Sequence, residues 1–167
     1  MVRTHRRARL LAVVLALLVF PVVSGSAQAH KKADPVFVDI ITCLYVGGEI
    51  TVDAGKPLML DAGWAGLTPR HLAWFLLSAR TVASIDGHPI RHAWSYWGKF
   101  EKSYPFPDLP WVTHWDYPHK ALKAGQSFTI AYDWYLRFPV SDGVDWYPRG
   151  MVNAQLGALP SCTVTAE

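Results

Sequence analysis

Two histidines and a carboxylate crowd one short stretch, "THWDYPH" at 113–119. His114 and Asp116 alternate with Trp115 and Tyr117, so a strand here puts both on one face, and His119 follows a turn signal at Pro118. Two imidazoles and a carboxylate form a ligand set for zinc or another divalent ion. The spacing matches no strong metal signature, and polar residues alternating with aromatics are also what the solvent side of a strand contains. His30 offers a different chemistry. If a signal peptidase cuts after Ala27-Gln28-Ala29, His30 becomes the first residue and could hold copper through its imidazole and free amine. His71, His88, His92, His114 and His119 could each supply a second ligand. Against copper stands the segment Lys31-Lys32-Ala33-Asp34-Pro35, which reads as a charged tail ahead of the first strand. Cleavage after Ala27 instead would leave Gln28 first. His88 and His92 lie in "DGHPIRH", where Asp86-Gly87 is first of all a hairpin turn.

Nucleophilic catalysis has little to work with. The two cysteines form the natural pair, no Gly-x-Ser-x-Gly elbow occurs, and no glycine-rich phosphate loop is present. Glu49, Glu101 and Glu167 are the only glutamates, and none has a suggestive neighbour. The expectation is therefore no catalytic residue and no cofactor. Aromatic side chains are the stronger signal. Eight tryptophans lie beyond residue 29, and two long segments, 98–110 and 139–150, place Tyr104, Phe106, Trp146 and Tyr147 beside Asp108, Asp142 and Asp145. Segments of that length are often functional, and exposed flat rings stack on sugars or fill protein interfaces. These four aromatics are the candidate ligand-binding residues, expected at one end of the fold with part of Trp146 or Tyr104 exposed. Packing into the core is the competing reading.

The elements that would position these groups begin after residue 29. Residues 1–29 read as a secretory signal: Arg3, Arg6, Arg7 and Arg9, an apolar run from Leu10 to Phe20, then small residues. That run falls short of the roughly 20 residues a membrane-crossing helix needs. The expectation is a secreted protein, extracellular or periplasmic, with no membrane span. Without those four arginines the 16 basic residues fall to 12 against 13 acidic ones, so the rest is near neutral and lacks the cationic footprint of a nucleic-acid binder. Residues 30–167 suit a single domain. In an exported chain Cys43 and Cys162 read as a disulfide, here expected to tie the first strand to the last.

Strand patterns dominate that domain. "FTIAYDWYLRF", 128–138, alternates strictly, with Phe128, Ile130, Tyr132, Trp134, Leu136 and Phe138 on one face. Further strands are expected at 36–45, 49–53, 57–63, 81–86, 89–97, 111–117 and 161–166. One helix of about eleven residues is predicted in "LTPRHLAWFLLSAR", where Thr68 and Pro69 mark a start and Leu72, Phe75, Leu76 and Ala79 recur at helical spacing; it should plug an open end. The pattern predicts an all-β, antiparallel, immunoglobulin-like Greek-key sandwich with one short inserted helix. A true immunoglobulin domain is set aside, because its cysteines lie within one central core. The segments "GWAGLT", "SIDGHPI", "AGQSFTIAY" and "SCTVTA" resemble those of small secreted bacterial β-sandwich proteins, and the resemblance implies no activity. Two functions follow: an exported non-catalytic binding module for a glycan or protein partner, or a periplasmic or extracellular metal-binding protein using His30 or the His114, Asp116 and His119 cluster.

Overall fold

The structure, a computed structural model, describes residues 33–103 and 107–167. His30 and the expected signal segment lie outside the described residues, as do Tyr104 and Phe106. The chain runs β1 (Val36–Asp39), α1 (Ile40–Val46), β2 (Glu49–Val52), β3 (Leu58–Gly66), α2 (Pro69–Ser78), β4 (Ala79–Ile85), β5 (His88–Pro89), β6 (Trp97–Lys102), β7 (Trp111–His119), β8 (Ser127–Leu136), β9 (Val140–Ser141), β10 (Trp146–Tyr147) and β11 (Cys162–Ala166). It is mostly β. One sheet has the order β1-β3-β7-β6, the other β2-β11-β8-β4-β5, and β9 and β10 form a separate two-stranded ribbon.

The two sheets face each other across one core. Strict alternation on β3 buries Leu58, Leu60, Ala62 and Trp64, and on β8 it buries Phe128, Ile130, Tyr132, Trp134 and Leu136. Rings meet across the gap: Trp115 of β7 lies 5.0 Å from Tyr132, and Trp64 lies edge-on to Trp134 at 5.4 Å. Burying such rings is worth about 1.5–3 kcal/mol for each large side chain, so the alternation fixes both sheet faces.

The sheets are mixed rather than wholly antiparallel. β1 runs parallel to β3, and β2 runs parallel to β11. Parallel neighbours need a long crossover where antiparallel ones can share a hairpin; here α1 and β2 intervene in the first case and most of the domain in the second. α1 also overturns the strand expected over 36–45. Asp39 ends β1 and caps the helix, its Oδ1 accepting from Thr42 N at 3.0 Å and its Oδ2 from Thr42 Oγ1 at 2.5 Å. Ile40, Cys43 and Leu44 then bury at helical spacing, which overrides their β-branched and apolar neighbours' strand preference.

Cys43 and Cys162 are bonded. The disulfide ties α1 to β11, not first strand to last, and β11 is an inner strand between β2 and β8. The strand expected over 89–97 shrinks to a two-residue pairing with β4. Pro89 has no N–H to extend the ladder, His92 takes a left-handed φ of 55°, and Ala93–Tyr96 form a 3-10 turn. Conversely, part of the segment expected to be loop at 98–110 is β6, whose alternation is hidden by a register shift between Trp97 and Phe100. Among the described residues no helix is long and apolar enough to cross a membrane.

Candidate ligand-binding cleft

The end of the fold where β3 and β8 finish and β4 and β7 begin is closed by α2 and the β9–β10 ribbon. Pro69 opens α2, and Leu72 and Phe75 are fully buried beneath it. Phe75 lies flat on Trp64, with centroids 4.2 Å apart and planes 3° from parallel. The far end of the helix is tied to the strand that leaves β8. Ser78 Oγ donates to Phe138 O at 2.7 Å and accepts from Phe138 N at 3.0 Å, while Arg137 donates to the carbonyls of Leu77 and Ser78. A cation at the last carbonyls of a helix satisfies groups that lack intrahelical partners.

Asp142 organises the ribbon. It is 4% exposed; its Oδ1 accepts from the N–H groups of Val144 and Asp145 at 2.8 Å each, and its Oδ2 accepts from Tyr147 Oη at 2.7 Å. Its own carbonyl accepts from Leu67 N at 2.6 Å, fastening the ribbon to the β3–α2 junction. Gly143 is required next to it: φ is +105°, and a Cβ would stand 2.4 Å from Leu67 Cβ. Burial, reinforced by the Asp142 carboxylate, pushes the Tyr147 phenol well above its ordinary range.

Strand alternation then sends Tyr147 and Trp146 to opposite sides. Tyr147 packs edge-on to Trp64 at 4.9 Å, and Trp146 is 77% exposed. Trp146 borders a cleft of about 530 Å³ whose opposite wall is Leu67, Arg70, His71 and Trp74 from the start of α2. Trp74 is 46% exposed and braced edge-on by Phe138 at 5.9 Å. His71 Nδ1 and Thr68 Oγ1 share a hydrogen bond of 3.1 Å, which orients the imidazole. Leu77 and Val144 add further exposed apolar surface at the same end. β6 finishes and β7 begins at this end too, since Lys102 pairs with Trp111 and Trp111 with Gly66. Of the four aromatics singled out from the sequence, Trp146 stands at the cleft and Tyr147 turns inward onto Trp64 and Asp142. Trp74 was missed, although it lies outside the Leu72 and Phe75 stripe and so had to face outward.

The second candidate cluster comes apart. His114 and Asp116 do share the outer face of β7, but β7 continues through Pro118 without a turn, and His119 falls on the other face. Its ring tilts onto Phe128 at 4.3 Å, its Nδ1 meets Lys120 O at 2.9 Å, and burial holds its pKa below the usual histidine value. What His114 meets instead is Asp61 of β3, Nδ1 to Oδ2 at 2.8 Å. Asp61 stands directly opposite Asp116 in the β3–β7 register, and with Gly98, Lys99 and Glu101 these groups line a depression of about 310 Å³. Burial raises the Asp61 pKa; His114 opposes the rise and Asp116 adds to it. Asp116 Oδ1 is buried without a hydrogen-bond partner among the described residues. No group of three or more histidine, cysteine or acidic side chains there is arranged to hold a metal ion.

Comparison with protein-family models, curated proteins and solved structures gives no match. The functional reading therefore rests on the two indoles and the cleft between them.

Proposed function

We propose that this chain is an exported, non-catalytic binding module that holds a carbohydrate in the cleft between Trp74 and Trp146. One observation carries the reading: two indoles, from separate elements, are exposed on the same cleft, and one of them, Trp74, is braced edge-on by Phe138. Flat π-faces suit the apolar faces of pyranose rings, and Arg70, His71 and Ser141 supply polar atoms for hydroxyl groups. The disulfide is in keeping with an oxidising compartment.

Strand order supports the immunoglobulin-like, Greek-key part of this reading. β1-β3-β7-β6 against β11-β8-β4-β5 follows the A-B-E-D and G-F-C-C′ arrangement, with β2 added outside β11, which makes the β3–β4 and β8–β11 connections the counterparts of the B–C and F–G loops. In variable domains those loops carry the binding surface, and here they carry Trp74 and Trp146. Two departures stand beside that: β1 is parallel to its neighbour, and the disulfide leaves α1 instead of joining the two sheets' central strands.

A glycan array probed with the parent protein, Trp146→Ala and Trp74→Ala tests the reading. Binding by the parent that weakens about threefold to tenfold in each variant, the loss of one ring's stacking of about 0.5–1.5 kcal/mol, with unchanged thermal melts, is the expected result. No glycan bound by the parent, or binding intact when both indoles are removed, overturns it.

A further inference from the structure

The opposite end of the fold holds a cleft of different character. It measures about 610 Å³ and lies where β4 and β7 finish and β8 begins. Its floor includes Phe128 and Tyr117, and its rim carries His88, Arg91, His119 and Lys120. Among the described residues neither Arg91 nor Lys120 is in an ion pair. The one acid on the rim, Asp86, is already engaged: its Oδ1 accepts from Thr129 N at 2.8 Å.

The two histidines are prepared in the same way. His88 Nδ1 lies 3.0 Å from Asp86 O, and His119 Nδ1 lies 2.9 Å from Lys120 O. A carbonyl oxygen only accepts, so Nδ1 carries the hydrogen in both rings. That leaves Nε2 as the nitrogen that gains or loses the proton. When neutral, each ring has a lone pair there; when protonated, each becomes a cationic donor beside Arg91 and Lys120.

We propose that this cleft is an oxyanion site, taking a sulfate or phosphate group at Arg91 and Lys120, with His88 and His119 becoming additional donors on protonation. Arg and Lys both form charge-assisted hydrogen bonds with such groups. The charged groups around His119 are Lys120 just past the end of its strand, Asp86 on the β4–β5 turn, Arg91 and His88 beyond that turn, and Asp34 ahead of β1. Burial is the main cause that lowers the His119 pKa; Lys120 lowers it further, and Asp86 raises it. An anion seated in the cleft opposes the lowering. By linkage, anion binding must raise the pKa of any ring whose protonation strengthens binding, and acid must tighten the anion.

Histidine ring resonances followed by NMR through a pH titration, in sodium sulfate and in sodium chloride of equal ionic strength, test the site on the full domain. Sulfate should lift the His119 midpoint by about one unit at saturation if the protonated form binds about tenfold more tightly. His71, at the other end, should not move. Arg91→Gln with Lys120→Gln should weaken sulfate at least about tenfold, as expected from losing a charge-assisted hydrogen bond, with an unchanged melt because both side chains are exposed. Glucose 6-sulfate in a parallel titration separates the sources: tighter binding than inorganic sulfate marks a sugar ester as the carrier, and equal or weaker binding marks the free ion. Equal shifts in chloride and sulfate, or sulfate binding untouched in the double variant, would overturn the site.

Discussion

The two ends of this fold are finished by opposite means. At one, α2 and the β9–β10 ribbon cover the core, and every covering piece is fastened: Ser78 and Arg137 hold the helix exit, Asp142 holds the ribbon, and Phe75 lies flat on Trp64. At the other, a tight Asp86-Gly87 turn and the link from β7 to β8 leave an open polar cleft in which histidine, arginine and lysine face water. The lesson is one of division. The aromatic end gains its shape from buried rings and a fastened backbone, whereas the cationic end derives its character from charged and chargeable side chains on its rim.

That contrast can be broken by substitution, and the largest effect should come from the covalent link between α1 and β11. Replacing Cys43 and Cys162 by serine releases a long loop, for which chain entropy gives about 4–5 kcal/mol; denaturant unfolding of oxidised protein and double variant measures it, and near-equal stability would show that α1 and β11 are held without it. Phe75→Ala should follow, at about 3–5 kcal/mol, the cost of truncating a buried aromatic, seen as a lower melting temperature. Asp142→Ala should cost about 2–3 kcal/mol by stranding the N–H groups of Val144 and Asp145. It should also lower the Tyr147 titration midpoint, followed by ultraviolet absorbance, because the carboxylate that helps to raise it is gone.

A smaller effect lies between the two ends, on the outer face of β3 and β7. Asp61 holds its proton more tightly folded than unfolded. Its contribution to stability is therefore greatest at acid pH and falls as pH rises from about 4, the ordinary aspartate value, through the raised one. Asp61→Asn should flatten that slope in melts taken across the acid range; an unaltered slope would place the titration elsewhere. Smallest of all should be Trp146→Ala and Arg91→Gln, each within about 0.5 kcal/mol of the parent because both side chains are exposed. A large loss from either would mean that its end of the molecule depends on that side chain for folding, and that the two ends do not differ in this way.

How much of this was legible in the sequence depended on whether one period ruled a segment. On β8, strict alternation named the buried face correctly from Phe128 to Leu136, and Pro69 announced α2. Alternation failed where a second signal competed. Ile40, Ile41 and Val46 favour a strand, and only the Asp39 to Thr42 cap and the burial of Ile40, Cys43 and Leu44 mark the helix. At β6 a bulge erased the period, and at Pro118 a turn residue sat inside a strand. The exposure of Trp146 was readable from its place in a long connection. The Asp61 to His114 contact was not, because residues 53 positions apart meet only once the β3–β7 register is known.

The position of β11 has a consequence for how the chain comes into being. β11, made more than 100 residues after β2, is inserted between β2 and β8, pairing with the first in parallel and the second antiparallel. Until Cys162–Ala166 leave the ribosome, β2 has no sheet partner and β8 has an open edge. The five-stranded sheet cannot assemble progressively from β2 onward; its closure waits for Cys162–Ala166. The Cys43–Cys162 bond therefore reports on that step: a chain that carries it has been made as far as β11 and has brought β11 against α1.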